Sequence, residues 1–159
     1  MLIAGVANHF WTYKFMNGVH KQCDSIGLNY YFHKKFGGTA TYEKTDMDWD
    51  IYPEGVEQAL MMLARYKKPL YVSESGLADA KDIHRADYIT RQVQATWRAI
   101  QRGADVRGHM YWSLLDNYEW ALGYEKRFGL VEINYETLKR TIRPSAYVYK
   151  AICEQNAVE

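Results

Sequence analysis

Four stretches of the chain repeat apolar residues every three or four positions, and shorter runs between them are apolar without a break. The first starts at Asn8, suited to cap a short helix carrying Phe10, Trp11, Phe15 and Met16, with Gly18 just past its end. The second, 53–66, has Pro53 at its first helical position and Val56, Leu60 and Leu63 on one face. The third is capped by Asp82, carries Ile83, Ala86, Ile89, Val93, Trp97 and Ile100, and ends at Gly103. The fourth begins at Pro144 and carries Tyr147, Val148 and Ile152. The unbroken runs read as strands: Ser25–Tyr31, Leu70–Val72 leading into Glu74, and Val106–Ser113, with a short extended piece over Phe128–Ile133. Polar loops fill the gaps: 33–52 with Gly37 and Gly38, 77–82, and 114–127 with Asp116, Asn117, Tyr118, Glu119 and Trp120.

Helices alternating with strands predict parallel strands joined by right-handed crossovers, an α/β architecture. No internal repeat or low-complexity linker divides the chain, so residues 1–159 are expected to form one domain. With 20 basic and 19 acidic residues, nothing in the charge selects nucleic acid or an anionic membrane as a partner. No apolar run is long enough to span a bilayer, and the opening residues lack the basic start and apolar core of a signal peptide. Cys23 and Cys153 are too few and too far apart for a disulfide framework or a metal knuckle. They read as buried thiols in a reducing, cytoplasmic compartment. Aromatic residues make up 15% of the chain, with 14 Tyr and 5 Trp, enough for a core and for flat platforms under sugars or bases.

Pro69–Gly76 concentrates the chemistry. Its apolar run reads as a buried parallel strand, and Glu74 then stands at the carboxyl end, where α/β barrels and open α/β sheets place their reactive groups. Taken alone, a strand-end Glu more often opens a solvated loop.

Several motifs change that balance. Asp24-Ser-Ile-Gly-Leu-Asn-Tyr-Tyr31, Trp49-Asp-Ile-Tyr-Pro-Glu-Gly55, Pro69-Leu-Tyr-Val-Ser-Glu-Ser-Gly76 and Tyr111-Trp-Ser-Leu-Leu-Asp-Asn-Tyr-Glu-Trp120 occur in that order. Together with Lys126-Arg-Phe-Gly129 and Lys139-Arg-Thr, they resemble the C-terminal part of glycoside hydrolase family 1, the β-glucosidase family, from about residue 8 to about 152. The resemblance implies about the last three units of a (β/α)8 TIM barrel and a retaining mechanism using two glutamates. It implies no cofactor and no metal. Glu74 matches the nucleophile, and Tyr31 the tyrosine that hydrogen-bonds it, with Asn29 on the same strand end. Trp112 matches the platform under the glycone, Glu119 the carboxylate that grips two sugar hydroxyls, Trp120 its neighbour and Phe128 an aromatic wall. An acid at 119 fits an unphosphorylated sugar, because relatives acting on 6-phosphorylated sugars replace it with phosphate-binding groups. Tyr31, Trp112, Trp120 and Phe128 also read as core aromatics, and Glu119 as a solvated loop acid. Ser73 and Ser75 stand where the family usually has Thr and Asn. Ser75 is therefore expected to alter the hydrogen bonding of the nucleophile and to cost activity.

A whole barrel takes about 250 residues, and a retaining glycosidase needs a second carboxylate about 5–5.5 Å from the nucleophile. The family carries that acid/base in an Asn-Glu-Pro segment, and no Asn-Glu-Pro occurs in this chain. The spacing of His33, His109 and Glu132 supports none of them as a substitute, and His109 is expected to pack or to face the helices. Three strands cut from a barrel are expected to leave two bare edges and a wet apolar inner face, too costly for a free monomer. The isolated chain is therefore expected to be incomplete or inactive. Its partners would be a β-glycoside and an N-terminal barrel half from elsewhere, or a second copy. The alternatives are a non-catalytic carbohydrate-binding module and an oligomerising fragment without a ligand.

Overall fold

The structure, a computed structural model, describes Val6 and residues 12–35 and 39–158. Asn8, Phe10, Trp11, Gly37 and Gly38, part of the first predicted helix and the first loop, lie outside the described residues. Helix α1 (Lys14–Val19) runs through Gly18 instead of stopping before it. The His20 ring nitrogen holds the Met16 carbonyl at 2.9 Å, and a 3-10 turn, His20–Gln22, completes the exit. Then follow β1 (Ile26–Tyr30), α2 (Gly55–Ala64), β2 (Leu70–Ser75), α3 (Arg85–Gln101) and β3 (Val106–His109). The chain closes with a hairpin, β4 (Val131–Ile133) and β5 (Arg140–Ile142), and with α4 (Pro144–Gln155). The expected order of helices and strands is present.

The sheet has the order β1-β2-β3, all parallel, with Ile26 opposite Leu70 and Leu70 opposite Val106. Its Ile26, Leu70 and Val72 pack on Val56, Leu60 and Leu63 of α2 and on Ala95 and Ala99 of α3. Alternation sends the remaining side chains to the opposite face, where no described helix covers them. A sheet with helices on one side only is a barrel segment, whereas a doubly wound sheet is covered on both. The two bare edges are present, because β1 and β3 each pair only with β2 among the described strands.

The apolar inner face is not. The open side carries Gly27, Asn29, Tyr71, Ser73 and Gly108, and β-carbons built on Gly27 and Gly108 would meet Ser73 and Tyr71 respectively. Such a face, mostly small and polar, loses little by being wet, so the expected large penalty on a free monomer does not follow from it.

Several local expectations are corrected. Asp79, not Asp82, caps α3, its Oδ2 accepting from the backbone N–H of His84 at 2.8 Å and of Arg85 at 3.1 Å. Asp82 instead reaches across the chain, accepting from the N–H and hydroxyl of Ser145 at the start of α4. The buried stripe of α3 is Tyr88, Ile89, Gln92, Ala95, Thr96 and Ala99, whereas Ile83, Trp97 and Ile100 are exposed. Ala95 and Ala99 stand against the apolar core of the sheet, where small side chains let the helix approach the strands. Strand β3 ends at His109 and not at Ser113, although the N–H groups of Met110 and Trp112 still bond to Val72 and Ser75 of β2. Cys23 is half-buried, and Cys153 is exposed because it shares the solvent stripe of α4 with Tyr147 and Lys150. Gly103, at φ +93°, ends α3 as expected.

Candidate active site at the carboxyl ends of the strands

Strict alternation along β2 would put Glu74 on the helix side with Leu70 and Val72. The ladder slips instead: Leu28 faces Val72, but the next residue, Asn29, faces Glu74, leaving Ser73 as an extra residue. This bulge sets Ser73 and Glu74 side by side, both half-buried, before Ser75 returns to full burial on the helix side. Just past β1, Tyr31 follows Gly27 and Asn29 onto the open face. Its hydroxyl donates to Glu74 Oε2 at 2.6 Å, a short charge-assisted bond. Burial first, and then that bond, push the Tyr31 phenol far above its ordinary range, so it remains a neutral donor. The charge of Glu119 acts on Tyr31 in the same direction, so a second carboxyl group lies near the pair. Burial raises the pKa of Glu119 itself.

An aromatic cluster surrounds the pair. Phe128 meets Tyr31 edge-on at 90° with centroids 6.2 Å apart, and Trp49 lies 5.9 Å from Tyr31 while stacking on Phe32 at 4.7 Å. Trp49 and Phe32 were not singled out as site residues, although Trp49 opens one of the sequence motifs. Phe128 is 2% exposed, so it acts here as packing behind Tyr31. Trp112 is partly exposed, and its carbonyl crosses Gly76 so closely that any β-carbon there would overlap it. Trp120 is 85% exposed, at the head of a 3-10 turn (Trp120–Leu122). Asn29 is exposed and takes the Ser73 hydroxyl at 2.9 Å.

Two buried carboxylates fix the loops that deliver these groups. Asp116 accepts from the Arg143 guanidinium at 3.0 and 3.2 Å and from the backbone N–H of Gly129 and Ile133, closing the loop that bears Glu119 onto the segment that leads from Phe128 into β4. Asp50 accepts from Lys44, Lys35 and His33, and these bonds, that of Lys44 foremost, hold its carboxyl well below the usual range. Trp49 is its chain neighbour.

The groups weighed as a second acid lie elsewhere. His33 is engaged by Asp50, Glu132 is exposed 4.0 Å from Arg143, and His109 lies behind the sheet against Gln92 of α3. Burial pushes the His109 imidazole down to about 4. The Ser75 hydroxyl bonds to His109 and to the Met110 carbonyl on the helix side of the sheet, and no bond joins it to Glu74. Among the described residues no group of three His, Cys, Asp or Glu side chains is placed to hold a metal, and no helix is long and apolar enough to cross a membrane.

A one-sided parallel sheet with a tyrosine-held carboxylate at the carboxyl ends of its strands defines a segment of a (β/α) barrel with a strand-end site. The sequence model of glycosyl hydrolase family 1 matches residues 8–158, and the chain belongs to that family. It is 44% identical over 126 residues to β-glucosidase A of Acetivibrio thermocellus, covering 72% of this chain and 28% of that protein. It is 42% identical over 120 residues to a β-galactosidase of Sulfolobus acidocaldarius, covering 75% of this chain and 24% of the relative. The β-glycosidase from Pyrococcus horikoshii superposes with a TM-score of 0.89 at 34% identity, over 98% of this chain and 44% of that structure. The fold is thus part of a (β/α)8 barrel, and the chain spans less than half the length of these relatives.

Proposed function

We propose that the chain is the nucleophile-bearing C-terminal part of a retaining β-glycosidase, in the first place a β-glucosidase, acting on unphosphorylated β-glucosides or β-galactosides. The observation that carries this reading is the 2.6 Å bond from Tyr31 to Glu74 Oε2 on the open face. One oxygen of Glu74 is thereby held still while the other is left to react. In the first step Glu74 forms a bond to the anomeric carbon as the bond to the leaving oxygen breaks. A second carboxylic acid gives its proton to that oxygen. Water then attacks the same carbon, the second carboxylate takes its proton, and Glu74 leaves. Glu119 accepts hydroxyl hydrogen bonds of the sugar, and Trp112 covers its C–H face. Asn29 and Trp120 add contacts to the sugar, and Phe128 backs the site. The acid/base comes from an N-terminal barrel part that meets the free edges of β1 and β3, or the site is completed by self-association. The 159 residues lack the Asn-Glu-Pro segment, which supports that division.

An activated 2-fluoro-glucoside tests the reading without the second acid, because its leaving group departs unprotonated. Intact mass and peptide mapping are expected to show one adduct on Glu74, and Glu74→Gln to abolish it. An adduct on another residue would overturn the assignment. Sugar binding that survives in Glu74→Gln, with no adduct in the wild-type chain, would favour a non-catalytic carbohydrate-binding module, a reading that the exposure of Trp112 and Trp120 supports.

A further inference from the structure

Tyr31 follows the end of β1 and Glu74 stands on β2, and the ladder between the two strands slips at Asn29, opposite Glu74. Regular strand pairing therefore does not fix their separation. On the opposite, helix-covered side, a chain of buried and half-buried polar side chains runs from one strand to the other.

Tyr88 of α3 is fully buried. Its hydroxyl donates to the carbonyl of Tyr30, the residue before Tyr31, over 3.4 Å. Through Gln92 and His109 the same oxygen is linked onward to Ser75, the residue after Glu74. Burial drives this phenol well above its ordinary range, and the bond from Gln92 offsets that only in part, so it stays neutral and able to donate.

Gln92, one turn along α3 and also fully buried, donates its amide N–H to Tyr88 Oη at 3.0 Å. Its Oε1 then accepts from His109 Nε2 at 3.3 Å, which sets the imidazole tautomer with hydrogen on Nε2. That N–H also faces the Ser75 hydroxyl at 3.2 Å, and Ser75 donates onward to the Met110 carbonyl. His109 Nδ1, a bare acceptor in this tautomer, has no partner among the described residues. The network therefore starts beside Tyr31, passes through one helix and ends at the residue after Glu74. A leucine at 92 would fill the same space and leave both Tyr88 and His109 short of a partner.

We infer that Tyr88, Gln92, His109 and Ser75 are positioning residues that set the Tyr31–Glu74 bond from behind the sheet, Tyr88 and Gln92 being the decisive pair. This rests on the proposed role of Glu74 and Tyr31 as nucleophile and its hydrogen-bond donor. Displacement of a reacting group by about 1 Å costs on the order of a hundredfold in rate, and a network that joins both backbones acts on that scale.

The test reads the bond and the chemistry separately in the full chain. The hydrogen-bonded phenol proton of Tyr31 gives a downfield proton NMR signal, identified by its loss in Tyr31→Phe. In Tyr88→Phe and Gln92→Leu that signal is expected to shift upfield or to vanish, and labelling of Glu74 by the 2-fluoro-glucoside to slow by about tenfold or more. Leu63→Ala, a core truncation that leaves the network intact, is expected to lower the melting temperature without moving the signal. Should Tyr88→Phe not fold, Ser75→Ala is read in its place, with a smaller shift in the same direction. An unchanged signal in folded Tyr88→Phe and Gln92→Leu overturns the inference, even if the wild-type chain is labelled. A moved signal with no labelling of the wild-type chain upholds the positioning role and counts instead against Glu74 as a nucleophile in the chain on its own.

Discussion

The two faces of the three-stranded sheet follow different rules. On the helix side, Leu70, Val72, Val56 and Leu60 have no exposed surface, and the polar groups among them, Tyr88, Gln92 and Ser75, are hydrogen-bonded to one another or to the strands. On the open side, Gly27 and Asn29 are exposed, Tyr71, Ser73 and Glu74 are half-buried, and glycines make room for the side chains opposite them. The helix side is packed as a finished core. The open side is built of small and polar groups that gain little from packing and leave Glu74 accessible. Stability and chemistry are thus assigned to opposite faces of the same strands, and residues alternate between the two tasks.

The largest effect expected from this division is on the helix side. Leu60→Ala removes a fully buried side chain between α2 and the sheet and is expected to cost about 2–5 kcal/mol in urea unfolding. The site geometry should persist in whatever fraction stays folded. A loss below about 1 kcal/mol would mean that the apolar layer is not where the stability lies.

Next in size is a pH effect that originates behind the sheet. Burial holds His109 at about 4 against an ordinary value of 6.5. Between these values the unfolded chain takes up a proton that the native chain refuses, so stability falls as the pH drops from about 6.5 to about 4. At 1.36 kcal/mol per pH unit, the full loss is on the order of 3 kcal/mol. Chemical denaturation at pH 7, 5.5 and 4.5 should show this slope, and His109→Phe should flatten it within that window. An equal slope in the variant would place the titrating group elsewhere.

Much of this division can be read in the sequence, because one periodicity governs each element. The helical repeat of Val56, Leu60 and Leu63 marks α2, and the short apolar run before Glu74 marks β2. The bulge is not legible: nothing in Tyr-Val-Ser-Glu-Ser announces that Ser73 is supernumerary, yet that slip is what brings Glu74 to the open face. Asp82 stands nearer the start of α3 than Asp79, and only the path of the chain gives the cap to Asp79. The hairpin β4–β5, with three residues in each strand, is too short for a period of two to register. Gln92 sits polar in an apolar stripe, and a binary pattern passes over it as an interruption although it joins Tyr88 to His109. Trp112, Glu119 and Trp120 share one motif, but their exposures diverge because Asp116 and Arg143 tie down only the base of their loop.

The smallest expected effect probes the open face most directly. Tyr71 lies over Gly108 on that face and is half-buried. For the chain alone in dilute solution, Tyr71→Ser is expected to cost about 1 kcal/mol or less in urea unfolding, as substitutions at wet positions do. The proposed N-terminal barrel part would cover this ring and extend the sheet from β1 and β3, so in its presence the same substitution should cost clearly more. Melts at two protein concentrations tenfold apart separate the remaining case. If Tyr71→Ser already costs more than about 2 kcal/mol and the cost grows with concentration, a second copy covers the face. The contrast between a finished helix side and an unfinished open side would then hold for the single chain but not for the assembly it forms.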